Sequence, residues 1–349
     1  MNGEKIKIGI SGMGVRGAKY AEILLNKKEQ VNLVAVTQGR TKDLQLEKKL
    51  LDAGCKVYCD EKALIENGDV DAIIVATPHY SHEEQVITAL EKSIHVLCEK
   101  PMAVDLVQAQ NMQKAAEYQQ AVFAVAYQYR MHPIYSEIKN IVESEKYGKL
   151  IRLNWMVTDW YRQNDYYSSS PWRGTWKGEG GGVLLNQSSH YVDLLQWIVG
   201  MPVVLRAFCH EGKFHDIEVE DEAFAYMQFE DGVVGTLCAS TGEKIGNNRL
   251  EFIFDTARVV IEHNVMSIIE SKKEIKQKVW GMYDLDELIL SEFIKEISGE
   301  KSKCVMGKEA INSLMIINAM YLSSWSKSEI KLPIDAQMFR TELERRKSN

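Results

Sequence analysis

The sequence predicts an α/β protein in two parts: an N-terminal doubly wound parallel sheet, then an α+β domain on an open, mainly antiparallel sheet. Three observations carry this. Strand-like apolar runs alternate with amphipathic helical stretches up to about residue 128, the rhythm of strand–helix–strand units around a parallel sheet. Beyond that point short strands follow one another with turn signals between them. The chain has 349 residues, more than one core usually serves. The expected domains are therefore 1–128 and 129–349.

The first element is a strand, because Ile6, Ile8 and Ile10 alternate with Lys5, Lys7 and Gly9. Gly12, Gly14 and Gly17 follow at G-x-G-x-x-G spacing, enclosing Met13, Val15 and Arg16, and residues 18–25 read as an amphipathic helix. The motif alone is weak; between a strand and a helix it gains a physical meaning. Gly12 permits the tight turn, Gly14 lets backbone approach a pyrophosphate, and Gly17 lets helix and strand pack closely. The unpartnered N–H groups and dipole of that helix favour an anion. A glycine-rich turn without a ligand is the competing reading, and nucleotide binding is favoured over it.

Residues 31–36 form the second strand. An NAD-selecting fold usually ends this strand with an acid for the ribose hydroxyls. Thr37, Gln38, Gly39 and Arg40 stand here instead. Arg40, helped by Arg16, can pair with a 2′-phosphate; both arginines also read as solvated surface groups. Gln38 can hydrogen-bond a ribose, so NADP or NAD is expected, with NADP favoured.

Residues 44–53 form a helix. Residues 70–77 (V-D-A-I-I-V-A-T) read as a strand buried on both faces. Residues 83–92 form the next helix and 94–98 the next strand. Residues 105–118 are helical, and the strand at 121–127 completes two mononucleotide halves. Ligands of such sheets sit beyond the carboxyl ends of the strands. Thr77, Pro78, His79, His82, Glu99, Lys100 and Gln128 all fall at those ends and are the remaining candidates for cofactor binding.

Glu99-Lys100-Pro101 places an amine on a stiff local backbone. Buried beside a nicotinamide, that amine would have its pKa lowered and could polarise a hydroxyl. The tripeptide by itself equally reads as a turn with a solvated Lys–Glu pair. After a helix at 134–144 and a strand at 150–159, the stretch 160–176 mixes aromatic and polar residues, with Tyr161, Trp172 and Arg173 among them. Rings suit the C–H face of a sugar while polar groups meet its hydroxyls; a surface loop with aromatics folded inward is the alternative.

Glycines 178 and 180–182 then open a helical period. Asn186, His190 and Asp193 stand at i, i+4 and i+7, which places them on one helix face. A polar triplet on an apolar helix is costly unless satisfied, so the three read as a site. Strands follow at 203–210, 222–229, 233–240, 249–254 and 258–262, with turns at 230–232 and 255–257. Helices at 284–298 and 308–327 complete the α+β domain. One face of its open sheet needs a cover, which favours a homodimer or homotetramer.

Bulk properties narrow the functional classes. The net charge of -7 argues against a general nucleic-acid binder. No apolar run approaches the ~18 residues that span a bilayer, and the M-N-G-E-K start lacks a signal-peptide core. The six cysteines show no metal spacing, so no metal is expected and a reducing cytoplasm is.

Taken together, the chain resembles the glucose–fructose oxidoreductase / inositol dehydrogenase / MocA family. The resemblance spans essentially the whole chain. It rests on the glycine turn, Ala76-Thr77-Pro78 with His82, Glu99-Lys100-Pro101, and Gly180-Gly181-Gly182 leading into Asn186, His190 and Asp193. It implies an N-terminal Rossmann domain, a C-terminal domain that pairs subunits, and NAD(H)- or NADP(H)-dependent oxidation or reduction of a ring carbon of a sugar, sugar nucleotide or cyclic polyol. Lys100 matches the lysine that contacts nicotinamide ribose and substrate, and His190 the acid/base histidine. Trp172 and Arg173 match a pair near cofactor or substrate.

Two positions depart from the pattern. Asn186 stands where many members carry Asp, as in some members acting on amino-sugar nucleotides, and Gln38 stands where NAD users often carry an acid. Asn186 cannot accept a proton, so His190 and Lys100 must carry the transfer, with Asn186 and Asp193 orienting imidazole or substrate. A non-catalytic NADP-binding regulator and an NAD-assisted glycosidase are the alternatives.

Overall fold

The structure, a computed structural model, describes residues 5–39, 43–271 and 274–348. Contacts divide the chain into two units. The first holds the residues up to Ala103, Gln108–Gln128 and Asp284–Ile311; the second holds Val104–Val107, Tyr129–Tyr283 and the chain from Asn312 on. No helix among the described residues is long and apolar enough to cross a membrane.

The first unit is built on β1 (Ile6–Ser11), β2 (Val31–Thr37), β3 (Lys56–Tyr58), β4 (Ala72–Val75), β5 (His95–Cys98) and β6 (Phe123–Val125). These strands are parallel in the order β6-β5-β4-β1-β2-β3, with the short strand Val305–Met306 antiparallel on β6. The order reverses between β1 and β4, so their carboxyl ends form the switch point where such sheets take ligands. All four residues of β4 are buried, as its unbroken apolar run requires. Helix Val15–Asn26 buries Gly17, Tyr20, Ala21 and Leu24, one stripe at helical spacing.

Two features of this unit depart from the sequence reading. The edge strand β3 and the helix Glu61–Asn67 were not expected. Lys56 and Val57 are exposed and Tyr58 is half-buried, so β3 carries no alternation to read. Helix Leu285–Ile297, which the sequence division assigns to residues 129–349, lends Leu290, Phe293, Ile294 and Ile297 to the core of Ile8, Ile10 and Tyr20. An apolar helical stripe does not state which core it fills.

The second unit carries a nine-stranded sheet. Its strands are β7 (Leu150–Val157), β8 (Val204–Glu211), β9 (Glu220–Gln228), β10 (Val234–Ser240), β11 (Asn248–Phe254), β12 (Arg258–Glu262), β13 (Val265–Ser271) and β14 (Glu274–Val279), with Ile330–Lys331 beside β8. Their order is β14-β13-β12-β11-β7-β10-β9-β8 and then Ile330–Lys331. The pair β7/β10 is parallel and the others are antiparallel. Along β9, Ala223, Ala225 and Met227 are buried while Phe224 and Tyr226 face out. Hairpin β13–β14 and helix Ala336–Lys347 were not anticipated.

The segment behind the second glycine run is a π-helical turn, Val183–Gln187, followed by an α-helix, Ser189–Val199. Ser188 N–H donates to Val183 C=O five residues back, at 2.7 Å. Such a wide turn rotates everything after it relative to an unbroken α-helix.

Candidate active site

At the switch point of the first unit, the three glycines have different surroundings. A Cβ on Gly12 (φ 90°) would lie 2.6 Å from Ala76 C=O, and one on Gly17 would lie 2.0 Å from Gly12 C=O. Both are required by close packing of turn, strand and helix. A Cβ on Gly14 would meet nothing within 4 Å. Gly14 is also the N-cap of helix Val15–Asn26, which has no side-chain cap and no acid in its first turn. The helix start thus faces open space with its N–H groups uncontested by a side chain, which fits a pyrophosphate. Gly12 N–H donates to Thr37 Oγ1 at 2.8 Å, so the end of β2 braces the turn. Met13 is buried and Val15 exposed. Gln38 is exposed, its N–H donating to Tyr58 C=O at 2.8 Å. Arg40 lies outside the described residues.

Arg16 points into a carboxylate cluster. Its Nε donates to Glu99 at 2.7 Å and its terminal nitrogens to Asp286 at 2.7 and 3.0 Å, with Tyr20 OH at 2.8 Å. Tyr20 OH also donates to Glu99 at 2.6 Å. Burial opposes the Glu99 charge, but Arg16 and Tyr20 outweigh it and hold the carboxyl below the usual range. Glu99 accepts the Lys100 N–H at 3.1 Å, which fixes the backbone of the half-buried lysine. Gln128 Nε2 donates to Asp286 at 3.3 Å, while its buried Oε1 has no hydrogen-bond partner within the protein.

The loops after β4 and β5 are joined by His82, which is fully buried. Its Nδ1 lies 3.0 Å from Pro101 C=O and its Nε2 2.9 Å from Thr77 C=O. Burial lowers its pKa against the pull of both carbonyls. Gln85 links the same loop inward, bonding Ser11 at 2.6 Å and Thr77 Oγ1 at 3.1 Å. Pro78 is exposed and His79 buried. The first unit therefore gathers Gly12, Gly14, Thr77, Glu99 and Lys100 on elements that end at one switch point, with His82 serving as their tie.

In the second unit, His190 is 5% exposed and stacks on Tyr129, with ring centroids 4.4 Å apart at 14°. Arg130, the next residue, forms a bidentate pair with Asp193, both bonds 2.7 Å. This pair is almost fully buried. His190 and Asp193 thus address adjacent residues of one segment, one turn apart. Asn186 precedes His190 in the chain. It lies inside the π-turn, and its Nδ2 donates to Glu179 and, at 3.3 Å, to Tyr166 OH.

Glu179 is buried and also accepts the Gly174 N–H at 2.7 Å. Arg173 bonds Tyr166 OH, stands 4.0 Å from Glu179, and stacks on the Trp172 ring at 4.4 Å. Arg173, Trp172 and Asn186 are therefore part of one cluster, with Tyr161 half-buried in the same stretch. Glycines 180–182 are filled by the protein itself. A Cβ on Gly180 would strike Val104, one on Gly181 the Tyr321 hydroxyl, and one on Gly182 the Glu220 C=O at 1.9 Å. Glu220 accepts from Gly182 N–H at 2.9 Å, Leu184 N–H at 2.8 Å and Tyr321 OH at 2.8 Å. Burial pushes its pKa up to about 7 against those three donors.

Sequence reasoning passed over Tyr129, Tyr166, Glu179 and Glu220. A carboxylate between two glycines, Gly178-Glu179-Gly180, was a usable signal for Glu179. Nothing local marks Glu220, which reaches its partners from 36 and 38 residues away.

Two family models match in series. Residues 6–127 match the oxidoreductase family with an NAD-binding Rossmann fold, and residues 135–260 match the GFO/IDH/MocA C-terminal domain. Myo-inositol 2-dehydrogenase of Thermotoga maritima is 25% identical over 344 residues, 94% of this chain and 98% of that protein. Levoglucosan dehydrogenase of Pseudarthrobacter phenanthrenivorans is 26% identical over 216 residues, 55% of each chain, so the match spans about half that relative's length. The WlbA dehydrogenase of Bordetella pertussis, solved with NADH and UDP-GlcNAcA, superposes with a TM-score of 0.82 at 24% identity, covering 95% of this chain and all of that one. At that identity the superposition speaks for the fold.

Proposed function

The chain belongs to the GFO/IDH/MocA oxidoreductase family, and from that premise we propose that it moves a hydride between a nicotinamide cofactor and a ring carbon of a sugar, sugar derivative or cyclic polyol. The observation that carries this is the open approach to Gly14 at an uncapped helix start, the one place in the first glycine turn where the missing Cβ leaves space. The cofactor, when bound, supplies the hydride acceptor or donor. Gly12, Met13, Gly14, Val15 and the Arg16 backbone would hold its pyrophosphate. Thr77, Pro78, His79, Glu99, Lys100 and Gln128 would line its nicotinamide end, with His82 bracing them. The end of β2 has no carboxylate, and Gln38 with Arg40 favours NADP over NAD.

His190 takes the hydroxyl proton in the oxidative direction and returns it in the reductive one. Stacking on Tyr129 fixes its ring plane. Lys100 places a positive charge where the alkoxide develops. Asp193 positions the Tyr129–Arg130 segment through Arg130, and Asn186, Tyr161, Trp172 and Arg173 contact the sugar. The relatives' names, an inositol and an anhydrosugar dehydrogenase, suit a ring alcohol as substrate.

The test is a screen of polyols, sugars and sugar nucleotides for reduced-nicotinamide absorbance, with NAD and with NADP, and with liberated sugar assayed alongside. We expect turnover with net cofactor change. In the hit reaction His190→Ala should lower kcat by about 10²–10⁴-fold while cofactor affinity is retained. Unchanged turnover removes His190 from the mechanism, and sugar release without net cofactor change replaces the reading by a glycosidase.

We also propose that the outer face of the second unit's sheet pairs subunits into a homodimer or homotetramer. Phe208, Phe224, Cys238 and Met156 stand opposite one another across β8, β9, β10 and β7, and Phe208, Phe224 and Met156 are 50%, 46% and 46% exposed. Such a row is apolar surface that an oligomer would cover. Phe224→Arg should shift the mass measured by light scattering toward the monomer. All six cysteines are thiols, which suits the cytoplasm.

A further inference from the structure

Two arginines of the aromatic stretch share one ring. The guanidinium carbons of Arg162 and Arg173 lie 4.4 and 4.3 Å from the centroid of Tyr166. Arg162 also lies 5.3 Å from the ring of Trp160. The backbone of Arg162 is pinned: its N–H donates to Thr241 C=O at 2.9 Å, and its C=O lies 2.9 Å from His215 Nε2. Tyr166 OH receives Arg173, Asn186 and Gln187, so the cluster adjoins the turn that leads into His190.

The charges in this cluster do not balance. Glu179, 4.0 Å from Arg173, is the carboxylate that faces it, and Glu179 is already shared with Gly174 N–H and Asn186. Arg162 makes no ion pair among the described residues. The buried Nε atoms of both arginines have no hydrogen-bond partner. Burial raises the Tyr166 pKa despite both arginines, so the phenol is neutral. Among the described residues Glu179 is the one carboxylate within 4.0 Å of either guanidinium, and two buried donors remain to be satisfied.

We propose that Arg162 and Arg173 form an anion subsite and that the substrate is an anionic sugar, carrying a carboxylate or a phosphate. The proposal rests on the oxidoreductase reading and deepens it. A guanidinium fork donates two parallel bonds to either group. The same rings take the sugar's C–H face. Asn186, one turn before His190, ties the subsite to the catalytic helix.

The experiment compares three matched probes, a hexose, its hexuronate and its 6-phosphate, in initial-rate kinetics with each cofactor. The whole protein is assayed as wild type, Arg162→Gln, Arg162→Lys and Arg173→Gln. We expect at least about tenfold higher kcat/KM for one anionic probe over the neutral hexose, the low end for hydrogen bonds to a charged group. That preference should fall about tenfold or more in either glutamine variant, return in part in Arg162→Lys, and weaken with added salt. The hexuronate and phosphate arms identify which anion is read. Equal use of the neutral hexose by wild type, or equal loss on all probes in the variants, overturns the proposal. Should none of the three probes change the cofactor, that outcome bears on the oxidoreductase reading alone, and thermal shifts with the same probes decide the subsite. A shift produced by an anionic probe and abolished by Arg162→Gln supports the subsite; its absence overturns it.

Discussion

Both units open a functional segment with a run of glycines, and the two runs do opposite things. In the first, Gly14 faces empty space and the helix behind it carries no cap. In the second, the missing Cβ atoms of Gly180, Gly181 and Gly182 are replaced by Val104, Tyr321 and the Glu220 backbone, and the Glu220 carboxylate takes the N–H groups of Gly182 and Leu184. A glycine run therefore marks a close approach, and what approaches decides its role. The first run waits for an anion from outside the chain. The second has its acceptor built in, the Glu220 carboxyl, and the result is a turn locked ahead of Asn186 and His190.

The largest expected effect comes from filling the closed turn. Gly182→Ala puts a methyl 1.9 Å from a backbone oxygen, and should destabilise the protein by about 3 kcal/mol, read from denaturant midpoints. If its midpoint matches wild type, the second turn is not closed and the contrast breaks. Arg130→Met strands Asp193 in a buried site and should cost a comparable ~3 kcal/mol or more, with a matching loss of activity as Tyr129 and His190 shift.

Glu220→Gln sharpens the comparison by replacing the internal carboxyl with a group that does not titrate. An amide has one acceptor oxygen where the carboxylate receives donors on both, so about 1–3 kcal/mol should be lost at neutral pH. The pH profile carries its own sign. Glu220 titrates near 7 in the fold and near the ordinary value of 4.5 when unfolded. Between those values the native state binds more protons than the unfolded state, so this group makes stability fall as pH rises from 4.5 to 7. Denaturation of Glu220→Gln across that window should lack this component, and an identical slope in both proteins would assign it elsewhere.

The smallest structural effect belongs to the open turn. Gly14→Ala meets no atom of the protein and should leave stability within about 1 kcal/mol, yet weaken dinucleotide binding by about tenfold or more in a fluorescence titration. Loss of stability without loss of affinity would reverse the roles assigned to the two runs.

The strand–helix rhythm of the first unit was legible wherever an element is apolar with its own period, β4 as an unbroken run and helix Val15–Asn26 as a stripe, and was lost at the exposed edge strand β3. The G-x-G-x-x-G turn, Glu99-Lys100-Pro101 and the Asn186/His190/Asp193 set were legible as residue types at fixed spacing. The helix behind that last set is less regular than its spacing predicts, because Ser188 N–H reaches back five residues to Val183 and widens the turn between Asn186 and His190. Sequence position makes Arg16 a candidate for a 2′-phosphate; the fold turns its guanidinium toward Glu99 and Asp286, the latter 270 residues on. Such partners leave no local trace.

The sequence alone determined the two-part fold class, the parallel character of the first sheet and the positions of the glycines, the lysine and the histidine, since periodicity and short motifs are properties of neighbouring residues. Tertiary structure alone decided which glycine stays open, which carboxylate answers which arginine, and which core the helix Leu285–Ile297 fills. Those are set by atoms that meet across tens or hundreds of residues, where the free energy of a contact depends on burial and distance rather than on spacing along the chain.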